Sequence, residues 1–213
     1  MHDAHDVSVW WHQLSADHRG RFLLGLGVSH SAVIGAYRKP LTAMKDYLTR
    51  LSNEGLSAND LCLAALGPRM LELARDRTAG AHPYLVTPEH TAIAREALGP
   101  AALLAPEQGV VLESNPTRAR ELARPYVKGY GALANYANSW LRLGFTEEDI
   151  ANTSDRLVDA LFAWGGVDRI AERVNAHLHA GANHVCLQVV GARPSPDVSA
   201  MRPAWRELAA ALL

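Results

Sequence analysis

The turn at Gly67-Pro68-Arg69-Met70 carries residue types that bind phosphate. It follows an apolar run, Leu61 to Leu66, and precedes a helical pattern that continues to about Thr78. A helix that begins at such a turn presents free backbone N–H groups and the positive end of its dipole, and Arg69 adds a charge. The spacing therefore predicts a phosphate-binding turn, with an ordinary strand-to-helix connection as the alternative.

Ser29 and His30 occupy a similar position after another apolar run, which ends at Gly25-Leu26-Gly27. A histidine can donate a hydrogen bond or exchange a proton near neutral pH, so His30 is a candidate catalytic residue. Ser29 could donate a hydrogen bond to a substrate carbonyl. A solvated histidine in a surface loop is the alternative interpretation of His30.

Glu113 is the second candidate catalytic residue. It stands at the end of the strand-like run that begins at Gly109, where its carboxylate could meet a substrate. Asn115, two residues later, is explained by capping the helix that starts at Pro116. The sequence thus predicts three polar sites, each at the end of a different strand.

Other features exclude several classes of function. His177 and His179 are two residues apart in a helical pattern and diverge, so we expect no shared metal there. The 213 residues carry 21 basic and 22 acidic side chains, a balance without the basic footprint of a protein that binds nucleic acid or an acidic membrane. No run approaches the ~20 apolar residues of a membrane helix, and we expect a cytoplasmic protein.

The elements that position these residues alternate between strands and helices. Apolar runs predict five strands, at 21–28, 61–66, 83–86, 109–113 and 185–190. Helical patterns lie between them, one of which includes Leu157 to Phe162 and ends at Gly165-Gly166. Long helical connections between apolar strands predict parallel pairing. We expect one α/β domain over residues 1–213.

Five stretches follow one another in a recognisable order: Gly20–His30, Leu63–Ala74, Thr78–Tyr84, Leu112–Arg120 and Gly181–Val185. In wording and order they resemble strands four to eight of the luciferase-like oxidoreductases, with the turns beside them. Those enzymes are flavin- or deazaflavin-dependent (β/α)8 barrels of the TIM type. Within that superfamily the stretches are most similar to the branch that uses coenzyme F420.

The resemblance implies a cofactor and the residues that hold it. The cofactor would be F420, a deazaflavin that exchanges a hydride with a small organic substrate. FMN, used by a monooxygenase that depends on a separate flavin reductase, is the alternative. The implied cofactor-binding residues are Ser29 and His30 near the ring, and, toward the phosphate tail, Gly67, Pro68, Arg69, Met70, His82 and Tyr84. A packed strand histidine is the alternative for His82.

One departure from the family affects the expected architecture. Three β/α units precede the family's fourth strand, whereas here that strand begins about twenty residues from Met1. We therefore expect a truncated barrel that lacks about its first three strands, and five strands cannot close such a barrel. A non-catalytic remnant that persists by pairing with a partner chain is a third hypothesis. The oligomeric state stays open, self-association included.

Overall fold

The computed structural model describes residues 2–28, 39–191 and 198–213. Its strands are only two to five residues long, and most of them alternate along the chain with helices. They are β1 (Leu24–Leu26), β2 (Leu61–Leu63), β3 (Gly80–Ala81), β4 (Leu103–Leu104), β5 (Glu107–Val111), β6 (Phe162–Trp164) and β7 (Cys186–Val189). All the ladders in this part of the chain are parallel, which confirms the predicted α/β class.

The helices pack outside these strands. They are α1 (Ala4–Gln13), α2 (Ala16–Arg19), α3 (Pro40–Asn53), α4 (Pro68–Arg77), α5 (Pro88–Leu98), α6 (Pro116–Gly131), α7 (Ala134–Arg142), α8 (Glu147–Asn152), α9 (Asp155–Leu161), α10 (Val167–His179) and α11 (Val198–Leu212). The predicted starts are confirmed, since Thr87 and Asn115 accept hydrogen bonds from the first turns of α5 and α6. No helix in the described ranges has both the length and the apolar character of a bilayer span.

The strands form two sheets, in the orders β1-β2-β3-β4 and β6-β5-β7. The sheets are joined by the continuous segment from Leu103 to Val111, which contains β4 of the first sheet and β5 of the second. One edge of this segment forms backbone hydrogen bonds to β3 and the residues after it, where Glu107 N–H donates to Pro83 O at 2.8 Å. Farther along, the same edge pairs with β6. The other edge pairs with β7 throughout. Among the described residues no ladder joins β1 to β7, so these strands form no closed ring.

The described residues form seven strands where five were predicted, because Leu103–Leu104 and Phe162–Trp164 are also strands. Several of the predicted elements have other bounds. The strand expected at 83–86 lies earlier, at Gly80–Ala81, because Pro83 has no N–H and Leu85 adopts a φ of 55° that turns the chain away. The helix expected to run on past Phe162 ends at Leu161, and Phe162–Trp164 form β6 instead. The strand expected at 21–28 is also shorter and is confined to Leu24–Leu26.

A buried histidine joins the central strand to two outer helices. His177 of α10 lies with Nδ1 2.8 Å from Thr91 Oγ1 of α5 and Nε2 3.0 Å from Gln108 Oε1 of β5. Burial, assisted by Arg173, lowers the pKa of His177 to about 4, so the ring is neutral at pH 7. His179 is exposed, which confirms that the two histidines diverge.

Gly109 makes the pairing of β5 with β6 possible. A Cβ built on Gly109 would lie 2.4 Å from the ring of Phe162, a distance that requires the backbone or the ring to move. Only a residue without a side chain leaves room for this ring beside β5.

We predict that Gly109→Ala lowers the free energy of unfolding by about 1–3 kcal/mol, the usual cost of overpacking a buried site. Gly129→Ala is the matched control, because a Cβ there meets nothing within 4 Å and alanine favours the helix. Urea denaturation of both variants is the measurement. Equal stability of the two variants would contradict this role of Gly109.

Candidate functional site

A cleft of about 540 Å³ opens at the carboxyl ends of β1, β2 and β3. Its volume lies in the usual range for small-molecule sites. One wall comes from the residues that follow these three strands, and the other comes from the connection between α6 and α7. The residues that line the cleft include Gly27, Ala64, Gly67, His82, Tyr84 and Tyr136.

A second cleft, of about 630 Å³, adjoins the first and shares Pro40, Gly67 and Met70 with it. Lys39 and Arg69 line this second cleft, and both side chains are exposed. Gly67 caps α4 without any side-chain hydrogen bond, so the helix presents backbone donors at the junction of the clefts. The turn predicted from the sequence therefore stands between an uncharged cleft and a cationic one.

A third cation lies close to the same turn. Nη2 of Arg142, at the end of α7, is 3.9 Å from the position that a Cβ on Gly67 would take. Arg142 also contributes to lowering the pKa of the buried His90, whose Nε2 lies 2.9 Å from Leu66 O in the same turn. The guanidinium and the helix dipole together make the surroundings of Gly67 favourable for an anion.

Most of the sequence-predicted site residues converge on these clefts. Gly67, Met70, His82 and Tyr84 line the first cleft, and Pro68 and Arg69 line the second. Ser29 and His30 lie outside the described residues. Glu113 lies elsewhere, in a surface cleft with Arg118, where its carboxylate accepts the Asn115 N–H at 2.9 Å.

The ring of His82 is oriented by the neighbouring strand. Its Nδ1 lies 2.6 Å from the carbonyl oxygen of Ala105. Because a carbonyl oxygen can only accept, Nδ1 carries the proton of this bond. In the neutral ring Nε2 is then a hydrogen-bond acceptor, and the ring lines the first cleft.

An aromatic cluster joins the two walls of the cleft, with Tyr84 in the wall that follows the strands and Tyr136 in the wall from α7. The ring of Tyr84 lies 5.0 Å from that of Tyr130 and 6.4 Å from that of Tyr136, between centroids. The Tyr84 hydroxyl donates to Gln188 Oε1 of β7 at 2.8 Å. Burial, with a contribution from Glu107, raises the pKa of Tyr84, so this wall is uncharged at neutral pH.

Glu107 is a charged residue of this region that sequence reasoning missed. It lies inside β5, 4% exposed, and its Oε2 accepts the Leu85 N–H at 3.0 Å. Burial raises its pKa to about 7, against the opposing effect of that hydrogen bond. The signal in the sequence is its place between two apolar runs, Ala101–Ala105 and Val110–Leu112.

Asn135 and Asn138 of α7 were also missed. Both line the first cleft, and their amides add polar groups to the wall formed by α7. The signal in the sequence is their spacing of three residues, which places two side chains on the same face of a helix. They supply donors and acceptors opposite the strand ends.

We predict that Glu107→Gln stabilises the protein more at pH 8 than at pH 5. The folded pKa of Glu107 lies above its unfolded value of 4.5, so stability falls as the pH rises from 4.5 to 7 and the penalty is complete above 7. Glutamine stays neutral, and the change in its effect on the free energy of unfolding should be on the order of 2 kcal/mol between the two pH values.

Urea denaturation at pH 5 and pH 8 measures this difference. Glu121→Gln, at an exposed position of α6, is the control and should show no such change. An effect of Glu107→Gln that is the same at both pH values would show that Glu107 does not titrate in this range.

Comparisons with known proteins support the fold. No family model matches the sequence, and no curated protein matches it. Solved structures do match, among them an F420-dependent secondary alcohol dehydrogenase in complex with an F420–acetone adduct. That structure has 15% sequence identity and a TM-score of 0.71, over 99% of this chain and 76% of the other.

Two further structures agree with the first. The coenzyme F420-dependent tetrahydromethanopterin reductase from Methanopyrus kandleri matches with 14% identity and a TM-score of 0.67, over 100% of this chain and 80% of its own. Apo-MsnO8 matches with 17% identity and a TM-score of 0.63, over 99% and 74%. The likeness to the luciferase-like, F420-dependent group predicted from the sequence is thus confirmed, and at these identities what it establishes is that the chain has their fold.

Proposed function

We propose that the chain binds coenzyme F420 across the two clefts and acts as an oxidoreductase that passes a hydride between this cofactor and a small organic substrate. One observation carries the proposal: an aromatic, uncharged cleft and a cationic cleft adjoin at the carboxyl ends of parallel strands and share Gly67 and Met70 of the helix-start turn. Barrel enzymes place their sites at these strand ends.

The residues present fit such a cofactor. An anionic tail suits the cationic cleft, which offers Arg69, Lys39 and the uncapped start of α4. A planar ring suits the first cleft, because Gly27 and Ala64 have small or no side chains and leave space beside Tyr84 and Tyr136. A Cβ on Gly27 would meet only the Cβ of Ala64, at 3.6 Å, so a glycine there leaves space above the strand ends.

Each group of residues has a distinct task in this proposal. When bound, F420 supplies the hydride-transfer chemistry, and the protein supplies binding, orientation and a dry environment. Tyr84 and Tyr136 exclude water from the ring, while Arg69 holds the tail. His82 offers Nε2 as an acceptor for a substrate hydroxyl, since its Nδ1 is occupied by Ala105.

The neighbouring structures support the proposal through their fold. Two of them are named as F420-dependent enzymes, and one of these contains an F420–acetone adduct. The matches cover nearly the whole of this chain, which supports the same fold for it. F420 is therefore the cofactor that we propose for this chain.

We predict that Arg69→Ala weakens F420 binding about tenfold, because it removes one charge-assisted contact to the tail. Fluorescence titration of the purified protein with F420 measures the dissociation constant. Arg50→Ala, an exposed arginine in the last turn of α3, is the charge-matched control and should bind as the wild type does.

A parallel titration with FMN separates the two cofactors that the sequence left open. Binding of FMN but not of F420 would replace the cofactor in this proposal. Failure of the wild-type chain to bind either one would reject the proposed function. Equal affinities of the Arg69 variant and the wild type for F420 would remove Arg69 from the site.

A further inference from the structure

Glu107 makes two contacts to the segment that leaves β3, and the proposed function uses neither. Its backbone N–H donates to Pro83 O at 2.8 Å, and its carboxylate accepts the Leu85 N–H at 3.0 Å. Both contacts lie next to Tyr84, which forms the cleft wall. Glu107 therefore forms a hydrogen bond to each of the two residues that flank Tyr84.

The backbone conformation of Leu85 is one that requires stabilising contacts. Its φ of 55° is in the left-handed region, which is unfavourable for a residue with a side chain. The Leu85 side chain is 1% exposed, so its position is fixed by packing as well. Such strained conformations persist only where surrounding contacts hold them.

Both peptide groups of Leu85 are held. Glu107 accepts its N–H, and the indole Nε1–H of Trp140 donates to its carbonyl oxygen at 3.4 Å. Trp140 lies 6.1 Å from Tyr136, between ring centroids, on the other wall of the cleft. The left-handed turn at Leu85 thus connects β5, through Glu107, to both aromatic walls.

We propose that Glu107 is a positioning residue of the cleft: its carboxylate holds Leu85 in the left-handed conformation that sets Tyr84 in the cleft wall, and loss of its charge weakens ligand binding there. The identity of the ligand rests on the proposed function. An ionised carboxylate accepts an N–H bond more strongly than a carboxylic acid does, so the charged form holds the turn more firmly.

Among the described residues, three titratable groups interact electrostatically with Glu107. They are Tyr84 from the segment after β3, Tyr136 from α7 and Cys186 from β7. Burial is the main cause that raises the pKa of each of these three groups, so each stays neutral. The pKa of Glu107, about 7, lies in the interval between pH 6 and 8.

The first test follows the hydrogen bond itself. In the wild type without ligand, the amide proton resonance of Leu85 should move with pH between 6 and 8, because its acceptor gains and loses charge. In Glu107→Gln the same resonance should not move. A Leu85 resonance that does not titrate in the wild type would overturn the proposal, whether or not any cofactor binds.

The second test measures F420 binding at pH 6 and pH 8. We expect Glu107→Gln to bind about fivefold more weakly than the wild type at pH 8 and equally at pH 6, the ratio that a charge-assisted bond gives over a neutral one. His82 is present in both proteins, so its contribution to binding is common to both sides of the comparison. The control Glu121→Gln should follow the wild type at both values.

The outcomes distinguish the two proposals. A variant that loses the same affinity at both pH values would show a merely structural role for Glu107 and overturn the inference. Absence of F420 binding at every pH would reject the proposed function, and the titration of Leu85 would then decide alone whether Glu107 holds the turn.

Discussion

The backbone from Leu103 to Val111 forms hydrogen bonds along both of its edges, and β3, β6 and β7 all pair with it. Along one edge β3 is followed by β6, and along the other lies β7. Buried backbone groups must find hydrogen-bond partners, so wherever β3 turns away another strand has to take its place. This requirement explains why Phe162–Trp164 form a strand and why Gly109 has no side chain.

The cleft follows from the same arrangement. Parallel strands present their carboxyl ends to one side, and the residues after β1, β2 and β3 therefore meet there. The turn from β2 to α4 lies at the boundary with the cationic cleft, and the uncharged and cationic clefts share its residues Gly67 and Met70. A molecule with a planar ring and an anionic tail matches that division.

Glu107 illustrates a conflict between stability and site geometry. Its charge is costly inside the protein, and the fold would be more stable with the carboxyl group neutral. The charged form is nevertheless the better acceptor for Leu85, whose strained backbone carries Tyr84 into the cleft. Residues at functional sites are often destabilising in this way, because the site needs a geometry that packing alone would not select.

The sequence by itself determined the α/β class, the parallel pairing, the helix starts at Gly67, Thr87 and Asn115, and the polar residues at the strand ends. These features depend on local chemistry, namely apolar runs, caps and glycine turns, which act over a few residues. Only the tertiary structure decided that the chain turns away at Leu85, that Phe162 begins a strand, and that Glu107 and Arg142 come close to the clefts. Those outcomes depend on contacts between residues far apart in the chain, such as Glu107 with Leu85 and Gly67 with Arg142, and no local pattern encodes them.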